Sequence, residues 1–396
     1  MKISQANRLR ILYFLVFCCT ASWLPIFAEY LKDQGISGFQ TAAILSILPV
    51  LMFLIQPFYG GLADRLGFKK CLLWSSLCCA ITYLLYYFNG QTFLTLSIVT
   101  ACMALFYNSI QPLLDSLSLE LSEKNPSFSY GSLRIAGAAG WSFMGLVVGQ
   151  SIDMSDTSVI FAFSAASMFL TFLFCFGLDT NMRHAKTSRE KKRIPKEVVT
   201  DRNLLLVLFL VVLVSMSATP IWYYYSLYMK EMGASSVTVG VGLSFQGLCE
   251  LPFFYFSAKI IQRLGFKGTL LLTIGATIIR LFLYSFIKNP YLAIPIELLH
   301  GLSWSLFWVV CVEYTNALVP ENWRATGQSL LYAAYFGVGT IMGNFLVGSF
   351  QDSKYTISKI FAISGILVVV AFVIAWLFLK DKNKEEIVHL QTTQNQ

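Results

Sequence analysis

Charge is scarce in this sequence. Only 13% of its 396 residues are Asp, Glu, Lys or Arg, against 56% apolar, where an ordinary soluble domain carries about 25% charge. A water-soluble catalytic domain is therefore excluded, and a lipid bilayer is the natural solvent. Histidine occurs three times. Neither a metal-ligand spacing nor a glycine-rich phosphate loop is present, so no enzyme, cofactor or metal site is expected. The nine cysteines (Cys18, Cys19, Cys71, Cys78, Cys79, Cys102, Cys175, Cys249 and Cys311) fall in or at the ends of apolar runs without a CxxC, which argues against disulfides, zinc and thiol catalysis. The ten-residue alternation of a membrane β-barrel is also missing.

What is present is a series of apolar runs near 11–31, 42–62, 70–88, 92–118, 132–152, 158–178, 204–229, 236–262, 267–287, 290–318, 324–350 and 357–380. Each is close to the twenty or so residues that span a bilayer, and continuous runs of this kind form helices. The pentapeptide Arg65-Leu66-Gly67-Phe68-Lys69 recurs 198 residues later, half the chain length, as Arg263-Leu264-Gly265-Phe266-Lys267. Both copies sit between apolar runs, so the chain reads as a duplication with parallel halves, 1–178 and 204–380, a hydrophilic linker 179–203 and a tail 381–396. The fold class is all-α membrane protein, twelve transmembrane helices in two six-helix pseudo-symmetric halves.

Basic residues set the orientation. One side collects Lys2, Arg8, Arg10, Arg65, Lys69, Lys70, Lys124, the cluster from Arg183 to Arg202, Arg263, Lys267, Arg324, Lys380, Lys382 and Lys384; the other holds Lys32, Lys230, Lys288, Lys354 and Lys359. The positive-inside rule puts the first set, with both termini, in the cytoplasm. The net charge of +8 is thereby explained as topology, with no need of a nucleic-acid partner. The first run follows Arg8 and Arg10 without a clear small-residue cleavage site and reads as helix 1, not a removable signal.

Ionisable groups inside spans cost roughly 2.5–3.5 kcal/mol each on insertion scales and are functional candidates by default. They are Asp115, Arg134, Glu250, Arg280, Glu297, His300 and Glu313. In helix 4, Asn108, Gln111 and Asp115 share one face, and depth along the bundle allows an Asp115–Arg134 pair, either a packing bridge or an exchange partner for substrate. Glu297, His300, Trp304 and Trp308 form a second stripe at helical spacing, with Glu250 and Arg280 at similar depth; such a group suits proton coupling. Glu313 lies on the opposite face, as a packing or gate residue. Arg134 and Trp141 lie seven residues apart on one face of helix 5, where a donor fork and an indole can hold a ring solute. Trp23 and the aromatics Trp222, Tyr223, Tyr224, Tyr225 and Tyr228 are lesser candidates. Gly145, Gly149, Gly339 and Gly343 have the spacing of close helix packing.

The segment Gly60-Gly61-Leu62-Ala63-Asp64-Arg65-Leu66-Gly67-Phe68-Lys69-Lys70 resembles the loop between helices 2 and 3 of the major facilitator superfamily, which implies gating roles for Gly60, Asp64, Arg65 and Gly67. Tyr130-Gly131-Ser132-Leu133-Arg134-Ile135-Ala136-Gly137, with Gly140-Trp141, resembles the proton-coupled symporters related to lactose permease. That resemblance implies solute contacts for Arg134 and Trp141, with Gln56-Pro57, Glu250, Arg280 and His300 as further matches. Ser303 stands where lactose permease has its proton-carrying glutamate, Phe253 replaces a sugar-binding asparagine, and helix 7 lacks the acidic pair. The nucleoside branch accommodates Arg134 and Glu250 equally. No proline lies between Pro126 and Pro195, so the helix 5 motif of drug antiporters is absent.

The expectation is a monomeric plasma-membrane symporter driven by the proton gradient. Its solute is small and polar, a sugar or oligosaccharide first and a nucleoside or aromatic acid second; an exporter of amphipathic compounds and a non-transporting sensor are the remaining alternatives. Substrate contacts are assigned to Asn108, Gln111, Asp115, Arg134, Trp141 and Trp304, and proton coupling to Glu250, Arg280, Glu297 and His300.

Overall fold

The computed structural model describes residues 4–88, 92–124, 130–179, 200–320 and 323–379. All regular structure among the described residues is helical. Among the described residues, ten helices are long and apolar enough to cross a membrane. One of them, Ser236–Phe286, is two helices meeting at Gly265 (φ 71°, ψ 177°), and the shorter apolar helix Val159–Cys175 completes twelve. We number them helices 1 to 12: Gln5–Asp33, Gly38–Leu66, Phe68–Phe88, Phe93–Lys124, Tyr130–Met154, Val159–Cys175, Arg202–Tyr223 with its extension Tyr225–Glu231, the two arms of Ser236–Phe286, Pro290–Leu318, Thr326–Asp352 and Ile357–Phe378. Helices overrun the apolar runs at Gln5–Arg10 and 119–124, because polar ends leave the bilayer without leaving the helix.

The 198-residue offset holds throughout the architecture. Helix 1 continues after a break as Phe27–Asp33, and helix 7 as Tyr225–Glu231, the same seven positions shifted by 198. Gly35 and Gly233 both take positive φ (76° and 82°), as do Gly67 and Gly265 (85° and 71°). Ser37 caps helix 2 through the Gln40 amide at 3.3 Å, and its counterpart Ser235 caps helix 8 through the Thr238 amide at 3.2 Å. Helix 6 begins at Val159 and helix 12 at Ile357. The duplication is thus a register of turns and caps.

The repeated pentapeptide has a local physical reason. Its glycine adopts the left-handed φ that lets one helix end and the next start at once. The following phenylalanine, Phe68 or Phe266, is buried. The lysine then reaches the far end of its own half. Lys69 Nζ donates to the carbonyls of Phe176 (2.6 Å) and Leu178 (3.0 Å), just past helix 6, and Lys267 Nζ donates to that of Trp376 (2.9 Å) near the end of helix 12. Orphan carbonyls at a helix C-terminus are where a cation is favoured. Positive-inside topology alone does not account for Lys69.

By packing, the chain forms two compact units, Met1–Ser188 with Trp222–Leu248, and Arg189–Ile221 with Cys249–Gln396. The repeat boundary is a matter of sequence and the unit boundary one of packing, and they differ over Trp222–Leu248. Residues 180–199 of the linker and the tail 381–396 lie outside the described residues. In the first unit, aromatic rings fill the core: Trp23 meets Phe27, Tyr83 and Tyr107 with centroids at 5.3, 6.0 and 5.7 Å, and Tyr86 stacks on Phe161 at 4.0 Å. Buried hydroxyls such as Ser22, Ser164, Thr171 and Thr277 return their protons to the carbonyl four residues back, which satisfies them where water is absent.

Candidate functional site

In the second unit the side chains of Glu250, Arg280, Glu297 and His300 join in one hydrogen-bonded network. Arg280 and Glu297 are 2% and 0% exposed. Arg280 Nη2 pairs with Glu297 Oε2, and Tyr284 donates its hydroxyl to Glu297 Oε1. Arg280 Nη1 contacts His300 Nδ1 at 2.7 Å and donates to Ser303 Oγ at 3.1 Å. His300 Nε2 lies 3.1 Å from Glu250 Oε1. A guanidinium can only donate, so His300 Nδ1 must accept and the ring proton sits on Nε2, pointing at the Glu250 carboxylate. The order along the network is Glu250, His300, Arg280, Glu297, Tyr284.

Glu250 marks the open end: its side chain is 21% exposed, against 1% for His300. The corresponding positions of the first half, 198 residues earlier, are Met52, Thr82, Val99 and Cys102. The charges are therefore particular to the second half. Tyr284 is absent from the sequence-level candidates. Its signal was the four-residue step from Arg280, which stacks both over one face of helix 9, and the guanidinium carbon lies 5.6 Å from the tyrosine ring centroid. Ser303, a departure from the lactose permease pattern, supplies the hydroxyl that takes one arginine donor.

Helix 10 is irregular where the network sits. Pro290 starts it and Pro295 interrupts it; Glu297–Leu299 is 3₁₀ and Gly301–Leu306 is a π-helix. A proline removes a donor and crowds the carbonyl four residues back, and π segments are frequent at functional sites. A side chain at Gly301 would meet the Cys249 carbonyl and the Phe253 ring, so only glycine admits helix 8 this close. The change of pitch divides the stripe expected at regular helical spacing. Glu297 and His300 enter the network, whereas Trp304 stacks on Trp308 (5.7 Å, 24°) and meets Tyr335 (5.2 Å) beside a second π segment, Ala333–Gly339 of helix 11.

In the first unit, Asp115 and Arg134 each meet a residue of helix 1. Asp115 accepts from the Tyr13 hydroxyl at 2.7 Å, while the Arg134 guanidinium lies 6.0 Å from the Phe17 ring centroid. Asn108 donates to the Leu48 carbonyl at 2.9 Å and so ties helix 4 to helix 2; Gln111 is half-buried. Trp141 donates its indole N–H to the Leu243 carbonyl at 3.2 Å and meets Trp222 edge-on at 6.4 Å. Arg65 is exposed, and Gly67 forms the positive-φ corner after helix 2. Gly60 lies within helix 2, and the side chains of Gln56, Pro57, Asp64 and Tyr130 lie outside what the structure describes. Glu313 is half-buried.

Twelve helices in two pseudo-equivalent sets, with a network of ionisable side chains buried between apolar helices, define a multi-pass membrane transporter. A family model described as the MFS_1 like family matches residues 6–377, and the chain belongs to that family of the major facilitator superfamily. Its members are transporters and not enzymes. The uncharacterized transporter YwbF of Bacillus subtilis (strain 168) is 25% identical over 95% of this chain and 94% of its own. The maltose permease of Geobacillus stearothermophilus is 25% identical over 90% and 91%. Among solved structures, a mutant of the nucleoside transporter NupG superposes with a TM-score of 0.85 at 18% identity, covering 95% of this chain and 100% of that one.

Proposed function

We propose that the protein is a proton-coupled symporter of a small neutral sugar or oligosaccharide, residing in the plasma membrane with both termini in the cytoplasm. The observation that carries this reading is the buried network. With both carboxylates ionised, Arg280 positive and His300 neutral, its charge is minus one. One proton makes it neutral, and a neutral cluster reorganises in a low-dielectric interior at far lower cost than a charged one. Glu250, the exposed end, is the entry. Protonating it removes the charge that His300 donates to, and the change passes through the imidazole to Arg280 and its hold on Glu297.

The solute class is supported by the Arg134 and Trp141 resemblance and by the maltose permease relative. A nucleoside is the second reading, favoured by the structural likeness to NupG. Uptake of labelled maltose and uridine into proteoliposomes with an imposed inward proton gradient tests both. Accumulation of maltose should collapse when the gradient is dissipated, and Glu250→Gln should abolish uphill accumulation while leaving exchange. Accumulation unaffected by the gradient, or by Glu250→Gln together with Glu297→Gln, would remove proton coupling.

A further inference from the structure

Gly339 and Gly343 bring helix 11 onto helix 7 in the second unit. A side chain at Gly343 would meet the Met216 carbonyl and the Thr219 hydroxyl, and one at Gly339 the Ser215 side chain, so the two backbones touch. Where helices meet on glycine, larger side chains on the flanking stripe stand clear of the partner and leave a furrow. The one here has a volume of about 550 Å³ and is walled by Met216 of helix 7 and by Met342, Phe345, Leu346 and Phe350 of helix 11. Small-molecule sites run from roughly 300 to 1,000 Å³. The furrow follows helix 11 from Ile341 to its C-cap Ser353, about 18 Å at about 1.5 Å per residue. One leaflet of the hydrocarbon core is about 15 Å deep. The furrow opens sideways, for Met342 is 48% exposed.

Its walls are apolar and one end is polar. Ser349 and Ser353 line that end, on the basic-poor side, and Lys354, Tyr355 and Lys359 follow in the chain. Phe350 of the wall meets Tyr355 edge-on at 5.2 Å, and Lys359 Nζ lies 5.7 Å from the Tyr355 ring centroid, so wall, ring and ammonium are continuous. Two lysines and the exposed Asp352 leave this rim a net charge of +1. Among the described residues, Lys354 is the only non-glycine with positive φ, at 63°. The chain makes the same turn three times: Gly35 and Ile36 donate their amides to Lys32 and Leu31 (2.9 and 3.1 Å), Gly233 and Ala234 to Lys230 and Met229 (2.9 and 3.0 Å), and Lys354 and Tyr355 to Gln351 and Phe350 (2.8 and 3.0 Å). Glycine is the low-cost residue there, and the third turn uses lysine instead. In the first half, Lys354, Tyr355 and Lys359 correspond to Asp156, Thr157 and Phe161, while Ser349 and Ser353 correspond to Ser151 and Ser155. The lysines at this rim are therefore particular to the second half.

We propose that this furrow holds one acyl chain of an anionic phospholipid, with the phosphate between Lys354 and Lys359 and the glycerol end at Ser349 and Ser353. Any apolar furrow in a membrane span fills with hydrocarbon, and a particular lipid stays only where its headgroup finds contacts that the neighbouring surface does not offer. Two ammonium groups offer them to a phosphate, and Tyr355 stands at headgroup depth. A lysine held in a backbone conformation suited to glycine is accounted for by what its side chain binds. The seated chain would cover the open flank of the glycine contact and so brace helix 11 against helix 7. The choice of leaflet rests on the orientation proposed above; the site itself rests neither on the solute nor on proton coupling.

Native mass spectrometry of the full chain, delipidated in detergent and titrated with phosphatidylglycerol or phosphatidylcholine of matched chains, tests the site. The first adduct should form more tightly with phosphatidylglycerol. Lys354→Gln and Lys359→Gln should each weaken it roughly fivefold, the scale of one basic residue at an anionic surface, and leave phosphatidylcholine binding unchanged. Leu346→Trp, which fills the furrow, should remove the first adduct with either lipid. Lys354→Gly separates binding from folding: it relieves the left-handed backbone, so the lipid-free melting temperature should rise while phosphatidylglycerol binding falls. Equal affinity for the two lipids in the wild type, or an undiminished preference in the double lysine variant, would overturn the headgroup site. An adduct unaffected by Leu346→Trp in a protein that melts like the wild type would overturn the furrow as its seat. A wild-type dimer that Leu346→Trp dissociates would give the furrow to a second copy and overturn the lipid.

Discussion

Glu297 is fully buried, and its two oxygens accept from Arg280 and Tyr284. Removing either takes a donor from a buried acceptor, but the two losses differ in kind. Tyr284→Phe removes one hydrogen bond and should cost about 1–3 kcal/mol. Arg280→Ala abandons a buried charge and should cost about 3–5 kcal/mol. Thermal unfolding in detergent should rank them in that order, and Arg280→Met combined with Glu297→Gln should be milder than Arg280→Ala alone, because the two paired charges are removed together. Among single residues, the ionisable groups at mid-span were legible because charge in an apolar run has few explanations. Tyr13 and Tyr284 were not, since a tyrosine in a membrane helix has many uses and its partner lies on another helix.

The positions of helices were readable from hydropathy, because length and apolarity are what the bilayer selects. Their internal pitch was not. A fixed angle per residue places Glu297, His300, Trp304 and Trp308 on one face, but proline and glycine in helix 10 turn it from 3₁₀ to π within ten residues and send the tryptophans elsewhere. Corners between helices were half legible. The repeated glycine was visible, and the lysine two residues later looked like a topological charge until its carbonyl partners were found. Lys69→Met and Lys267→Met should each cost about 0.5–1 kcal/mol, with faster amide exchange confined to the last turns of helices 6 and 12 respectively. Gly67→Ala meets no neighbouring atom, so its cost is that of the backbone alone: φ 85°, ψ 149° lies in a region open essentially to glycine, at about 1–3 kcal/mol. Gly67→Asn should give no rescue relative to Gly67→Ala, as refolding yield or melting temperature will register.

For the whole molecule, the duplication was evident from one pentapeptide, and the same offset governs caps, breaks and helix starts from Phe27 to Trp376. What sequence symmetry does not give is packing, as Trp222–Leu248 shows by joining the unit built on the first half. Departures from the repeat carry the chemistry: the network of helices 8, 9 and 10 has no charged counterpart among Met52, Thr82, Val99 and Cys102. The paired lysines have a further consequence, in the time it takes to make the chain. Lys69 and its partner Leu178 are separated by 109 residues, and so are Lys267 and Trp376. At ordinary synthesis rates each lysine waits roughly 5–20 s for its carbonyl to emerge. Biogenesis of this protein therefore runs as two intervals of equal length, each closed by the same bond, and a ribosomal pause before position 178 or 376 would leave a half-built bundle with its first corner unfastened.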